Sequence, residues 1–252
     1  MIAIISPAKN MKRNKERSVI KVLKEEISKP LGLKKTEILL SYLKEYNPFE
    51  LETLMKINEP LAVQAFMDFQ NIQMENEGTP ALLTYDGLVY KNIEAEKFTK
   101  EELDFANSSL RILSAFYGIL RPMDGIQPYR LEMQCKIKIN GINLYKFWEH
   151  DLYTDLYKNG ELIINLASEE YAKCIRKYVL EQDRFVDIEF LVMKQGKLKN
   201  IATWAKMARG QMVRYLITKQ ITDLDKLKEF NWMGYTFEPS LSYENKYVFV
   251  LR

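Results

Sequence analysis

The chain has 252 residues, a formal net charge of +3, and 47% hydrophobic against 28% charged side chains. That is an ordinary globular composition, long enough for one large domain or two small ones with a substantial core. A single histidine and two widely separated cysteines, Cys135 and Cys174, exclude a Cys/His zinc site. No apolar run reaches the roughly 20 residues that a membrane helix requires, and the start is too short on apolar residues for a signal-peptide core. The expectation is a cytoplasmic protein with reduced thiols. Charge is uneven: residues 9–44 hold 11 Lys/Arg and 4 Asp/Glu, giving 11 − 4 = +7, and the remainder carries 3 − 7 = −4. Such a basic arm suits either a solvated amphipathic helix or a polyanionic partner.

In chain order, Ile2 to Ile5 reads as a short buried strand feeding Ser6-Pro7. Ser6-x-x-Lys9 has the spacing of a serine nucleophile and lysine base, but Pro7 after a strand favours an anion contact by the two residues. Residues 10–17 are polar and basic, 19–27 form a short helix closed by Pro30, and 36–46 form an amphipathic helix. Asn47-Pro48 with Glu50 is a helix start, with Pro at the first helical position and an acid at the third. Asn58-Glu59-Pro60 breaks that helix before Leu61, Ala65, Phe66 and Phe69 build the next. The segment 47–69 is therefore a plain αα-hairpin or a helix–hairpin–helix, whose amides contact DNA phosphates. The usual hairpin glycines are missing, and Glu59 opposes phosphate.

Residues 81–85 and 88–90 read as strands around Asp86-Gly87. Thr99 and Glu102 make a capping box for a helix whose apolar face runs Leu103, Ala106, Leu110, Leu113 and Tyr117, ending at Gly118. Arg121, Tyr129, Arg130 and Glu132 then follow in a loop shaped by Pro122 and Pro128. Guanidinium forks there suit a planar anion, or else structural carboxylate bridges. Alternation at Cys135, Ile137 and Ile139 predicts a strand that turns at Asn140-Gly141 into 142–145, and a helix opens at Phe147-Trp148 and runs to 157. His150, with no evident partner, is an ordinary helix residue. The strand 162–165 ends in Asn165 and Ser168 before a helix, an arrangement that presents amides to anions. A hairpin over 185–193 and 198–203, a helix over 205–219 carrying Lys206, Arg209 and Gly210, and a strand over 247–251 complete the chain. Gly210 inside a helix points to a close backbone approach.

Several blocks together resemble the YaaA family of bacterial peroxide-stress proteins. They are Ile5-Ser6-Pro7-Ala8-Lys9, residues 85–90, residues 110–133, Phe147-Trp148, Ile164-Asn165-Leu166-Ala167-Ser168 with Tyr171, residues 206–214, and Gly234-Tyr235-Thr236-Phe237. Leu88 stands where many relatives have Asp, and Met207 where a second lysine is common. The resemblance implies a mixed α/β fold: a single domain over 1–252, with a central mixed sheet surrounded by helices. It also implies a basic helical lobe at about 10–70 containing the helix–hairpin–helix-like segment. In function it implies a cytoplasmic protein that binds DNA and limits iron-driven oxidative damage, with Lys56, Asn58, Leu61 and Ala62 at the DNA contact.

The residues themselves support an alternative. Ser6, Lys9, Arg121, Tyr129, Arg130, Asn165, Ser168, Lys206 and Arg209 come from separated segments and would converge on one cleft for a small anionic or nucleotide-like ligand. Glu132 is its acid/base candidate. The acids do not cluster with histidine, so neither a metal nor a cofactor is expected.

Overall fold

The computed structural model describes residues 1–13 and 27–252. The helix expected over 19–27, Ile27 apart, and the second half of the basic stretch 10–17 lie outside the described residues. In chain order the elements are β1 (Ile2–Ile5), β2 (Asn10–Met11), α1 (Leu33–Lys44), α2 (Pro48–Met55), α3 (Glu59–Asn71) and β3 (Thr79–Pro80). Next come α4 (Ala81–Thr84), β4 (Tyr85–Asp86), α5 (Leu88–Ile93), α6 (Lys100–Ser109), β5 (Leu110–Ser114), β6 (Gly118–Leu120) and β7 (Gly125–Ile126). After these follow α7 (Leu144–Trp148), α8 (Asp151–Tyr157), β8 (Ile163–Asn165), α9 (Glu169–Arg176), β9 (Phe185–Lys194) and β10 (Lys197–Lys199). The last are α10 (Ala202–Thr218), β11 (Tyr235–Phe237) and β12 (Lys246–Leu251).

An eight-stranded mixed sheet runs β11-β12-β9-β8-β1-β5-β6, with β10 hairpinned onto β9. Its middle is parallel: β12, β9, β8, β1 and β5 all point one way, and antiparallel partners β11 and β6 close the two edges. Every residue of β1 is buried, as a central parallel strand covered on both faces requires. From β1 the chain goes first to β5 on one side, and later to β8 and β9 on the other. Strand order therefore reverses at β1. In open parallel sheets the crevice outside the strand ends at such a reversal is where ligands bind.

Helix starts follow the local chemistry. Asn47 and Glu50 form a complete capping box for α2, and Thr99 with Glu102 does the same for α6. Gly210 sits mid-α10, where a Cβ would lie 2.3 Å from the Val89 carbonyl oxygen and 2.7 Å from the Asn92 Cβ. The glycine thus lets α10 press directly on α5, as its position inside a helix predicts. Arg214 Nη1 donates to the Ile93 carbonyl at 3.0 Å and closes the end of α5.

Five expectations are corrected. The helix predicted through Tyr117 stops at Ser109, and Leu110–Ser114 is a strand registered on β1, with Leu110 opposite Ala3 and Ile112 opposite Ile5. The strand is short and buried except at Arg111, and its Leu110, Ile112 and Leu113 fit a helical period as readily as a strand. Residues 81–85 and 88–90 are mostly helical instead of extended, because α5 is held against α10 by tertiary packing. The hairpin predicted from Cys135 shrinks to a single bridge between Ile139 and Ile142. The helix expected over 147–157 starts at Leu144 under an Asn143 cap and breaks at Glu149, whose φ is +44°. Thr203, placed in a strand, lies in α10.

Candidate functional site

The end of β1 and the end of β8 are tied together at the reversal point. The Ser6 hydroxyl accepts the Ser168 amide at 2.8 Å and donates to the Ser168 hydroxyl at 3.1 Å. Tyr90, buried on α5, donates its hydroxyl to the Ser6 carbonyl at 3.0 Å. Asn165 shapes the turn out of β8: its side-chain oxygen accepts the Ala167 amide at 3.0 Å, and its nitrogen donates to Asp187 at 2.7 Å. Asp187 is in turn gripped by both terminal nitrogens of Arg176. Two antiparallel strand residues, Asn10 and Met11, pair with Asp86 and Tyr85 and bring the segment after β1 against the start of α5.

These contacts frame a cleft of about 440 Å³. That volume is typical of a small-molecule site. Its walls come from residues 6–10, 86–90, 129–132 and 166–171 and from Lys206 and Arg209 on α10. Lys9, Arg130, Lys206 and Arg209 give it four cations; Asp86, Glu132 and Glu170 give it three acids. The charges are not evenly neutralised. Lys9 reaches Glu132 at 2.8 Å, and Arg130 lies 4.0 Å from the same carboxylate. Asp86 is met by Lys91 at 3.2 Å. Lys206 and Arg209 have no carboxylate partner among the described residues.

Arg209 is mostly buried, and among the described residues its Nε has no hydrogen-bond partner. Burial pushes its pKa below the usual arginine value. Arg130 Nε is likewise buried without a partner, and its Nη1 makes only a long 3.5 Å contact to the Lys9 carbonyl. Glu170 is raised chiefly by burial, then by repulsion from Glu132, although it accepts the Gln134 amide at 3.1 Å. Tyr90, Tyr129 and Tyr171 add ring surface, all of them buried. The hydroxyl of Tyr129 faces the interior, 2.7 Å from both Tyr85 and Ser114 hydroxyls.

Of the residues predicted to converge, Ser6, Lys9, Tyr129, Arg130, Glu132, Ser168, Lys206 and Arg209 line this cleft. Arg121 does not. Its Nε and Nη2 bind the fully buried Asp124 at 3.1 and 2.9 Å, and Nη2 also donates to the Lys29 carbonyl. Arg121 is thus a structural bridge. Asn165 also stands outside, because its amide is used up shaping the turn behind the cleft. Nor is there a Ser–Lys dyad: the Ser6 hydroxyl is occupied by Ser168, and the Lys9 ammonium by Glu132.

At the α2–α3 hairpin, Lys56 closes α2 in the left-handed region at φ +53°. The Asn58 side chain accepts the Leu61 amide at 3.3 Å, and its carbonyl accepts the Ala62 amide at 3.0 Å. A second cavity of about 280 Å³ lies beside Lys56 and shares Arg130, Leu131 and Glu132 with the cleft; Cys135 and Lys136 also line it. Both cysteines are free and buried. Among the described residues no group of His, Cys, Asp or Glu is placed to hold a metal, and no helix is long and apolar enough to cross a membrane.

The family described as peroxide stress protein YaaA matches residues 1–241. This chain belongs to the YaaA family. It is similar to a UPF0246 protein of Clostridioides difficile, 42% identical over 251 residues that cover 99% of each chain. Likeness extends to UPF0246 proteins of Agathobacter rectalis, 40% identical over 250 residues covering 99% of this chain and 98% of its relative, and of Ligilactobacillus salivarius, 41% identical over 251 residues covering 99% of each. Family membership and the mixed fold agree with the expectation from sequence, and the family name carries a peroxide stress role.

Within this YaaA chain the sequence reading overlooked several cleft residues. Glu170 was masked by its neighbour Ser168, since two acids in the first turn of a helix look like ordinary dipole complements. Asp86 looked like a turn residue, and Tyr90 and Tyr171 stood only among the blocks of the family resemblance. Position two residues after Ser168 was the available signal for Glu170.

Proposed function

We propose that this YaaA-family protein serves the peroxide stress response through a cleft that binds a small anionic ligand at the strand-reversal point. One observation carries the proposal: Arg209 is largely buried in the cleft wall and, among the described residues, has neither a carboxylate nor an Nε partner. A guanidinium removed from water without compensation is costly, so its fork of donors is set for an anion that arrives from solvent. Lys206, one turn away on the exposed rim of α10, adds a second positive charge. Thermal unfolding of the whole protein with inorganic phosphate or a nucleoside monophosphate tests this. A ligand that binds only the folded state raises the melting temperature in a concentration-dependent way. The rise should disappear in Arg209→Ala; its absence in the wild type would sink the reading.

A second reading concerns DNA. It is supported by the small cavity that continues the cleft past Arg130 and Glu132 to Lys56 and Lys136, a path on which basic side chains could follow a phosphate backbone. In this reading a cytoplasmic protein holds duplex with little sequence preference and keeps iron-driven oxidative damage from it. Duplex affinity at two salt concentrations, in the wild type and Lys56→Ala, is the measurement. Salt-independent binding, or binding unaffected by the substitution, would remove the hairpin from the interface.

A further inference from the structure

The charges that line the cleft do not cancel. Lys9 takes Glu132 at 2.8 Å, and Lys91 takes Asp86 at 3.2 Å. Among the described lining residues, Arg130, Lys206 and Arg209 are then left against Glu170, 3 − 1 = +2. Arg130 stands 4.0 Å from Glu132, beyond hydrogen-bond distance. Its Nε, like that of Arg209, is buried and has no acceptor among the described residues. Each guanidinium therefore keeps an Nε–H to give, on the edge with which arginine grips an oxyanion side-on.

The two arginines do not stand in equivalent places. Arg209, on α10, lines only the larger of two adjoining cavities. Arg130, in the loop 129–132, lines both the cleft of about 440 Å³ and the cavity of about 280 Å³, so it sits where they meet. One oxyanion seated on Arg209 leaves the Arg130 donor buried and unfilled, and an unfilled buried donor is costly. We infer that the cleft takes a ligand with two linked oxyanions, one held by Arg209 and the other by Arg130. This rests on the anion-binding reading above and adds a second anionic group with the residue that receives it. Lys206 adds positive charge on the Arg209 side, and Lys56 and Lys136 add it in the smaller cavity beside Arg130. Two sources present this chemistry, a diphosphate group and a short dicarboxylate, since both offer paired oxygens to a guanidinium fork.

Titration calorimetry on the full chain with pyrophosphate, orthophosphate, malonate and acetate, at one pH and ionic strength, separates the outcomes. The expected result is pyrophosphate binding at least about tenfold tighter than orthophosphate, the size of one added charge-assisted hydrogen bond. Malonate binding tighter than pyrophosphate, and tenfold tighter than acetate, assigns the same two places to a dicarboxylate instead. Arg130→Lys keeps the charge and loses the fork. It should bring pyrophosphate to within about twofold of orthophosphate and leave orthophosphate, held by Arg209, within about twofold of the wild type. Arg130→Gln replaces it if the lysine variant unfolds, and the wild-type ratio decides on its own if both do. Equal affinities for the single and double anions, lost in Arg209→Ala, would overturn the inference and leave the anion site standing. So would an Arg130→Lys that weakens orthophosphate and pyrophosphate alike, because one anion would then be shared by both arginines. If none of the four binds, both readings fall together.

Discussion

The cleft and the α2–α3 hairpin are both surfaces where a phosphate contact was expected, yet they are built in opposite ways. At the hairpin the local sequence satisfies itself: Asn58 takes the Leu61 and Ala62 amides, and Asn47 and Glu50 cap the start of α2. Residues 47–71 carry one Lys and four Asp/Glu, 1 − 4 = −3, so the field there opposes an anion. In the cleft the donors come from distant segments and are left over among the described residues, where Arg209 and Arg130 each hold an unpartnered buried Nε. A binding surface is better recognised by donors that folding leaves unsatisfied than by a motif whose donors are already used.

The largest effect should come from outside both regions. Asp124 is fully buried and receives Arg121, the Arg121 amide and the Ser28 hydroxyl. Asp124→Ala is expected to cost about 3 kcal/mol, as removal of one buried partner does. Urea unfolding measures it, and phosphate should still raise the melting temperature of the folded fraction; loss of that rise would return Arg121 to the cleft.

Gly210→Ala comes next. The added methyl meets the Val89 carbonyl and forces α10 from α5, so a loss of about 1–3 kcal/mol is expected. Because both helices line the cleft, the ligand-induced shift should shrink in the same variant. An unchanged shift would mean that the two walls act independently.

Asn58→Ala tests the hairpin with a smaller change. Losing this cap should cost about 1 kcal/mol in unfolding experiments. It also frees the Leu61 amide, so if the hairpin does meet phosphate, duplex affinity should rise or hold, whereas a fall would show that the Asn58 side chain itself makes the contact.

The finest test is the thiol on α9. Burial pushes Cys174 up to about 12 from the ordinary 9.0. The native chain should therefore react slowly with iodoacetamide at neutral pH and quickly once unfolded. Linkage has a definite sign: the folded state keeps this proton more tightly, so its contribution is complete below the unfolded pKa and fades as pH climbs from about 9 toward 12. Cys174→Ala should lack that portion of the alkaline decline.

Local chemistry made much of the chain legible. The strand at Ile2–Ile5, the capping boxes at Asn47 and Thr99, the close approach at Gly210 and the final strand all follow from short-range rules about burial, caps and backbone freedom. Elements wrapped in the core were not legible in the same way. In Leu110–Ser114 the apolar residues Leu110, Ile112 and Leu113 fit a helical face as readily as a strand, and 88–93 became helical only because α10 lies against it.

What this sequence determined by itself was which cations existed near strand ends and helix starts, since residue type and spacing are local properties. Which of them stayed available was settled in the tertiary structure. Arg121 has Asp124 three residues on, and the fold buries that carboxylate against it, whereas among the described residues no acid reaches Arg209, because electrostatic partnership depends on distance in space.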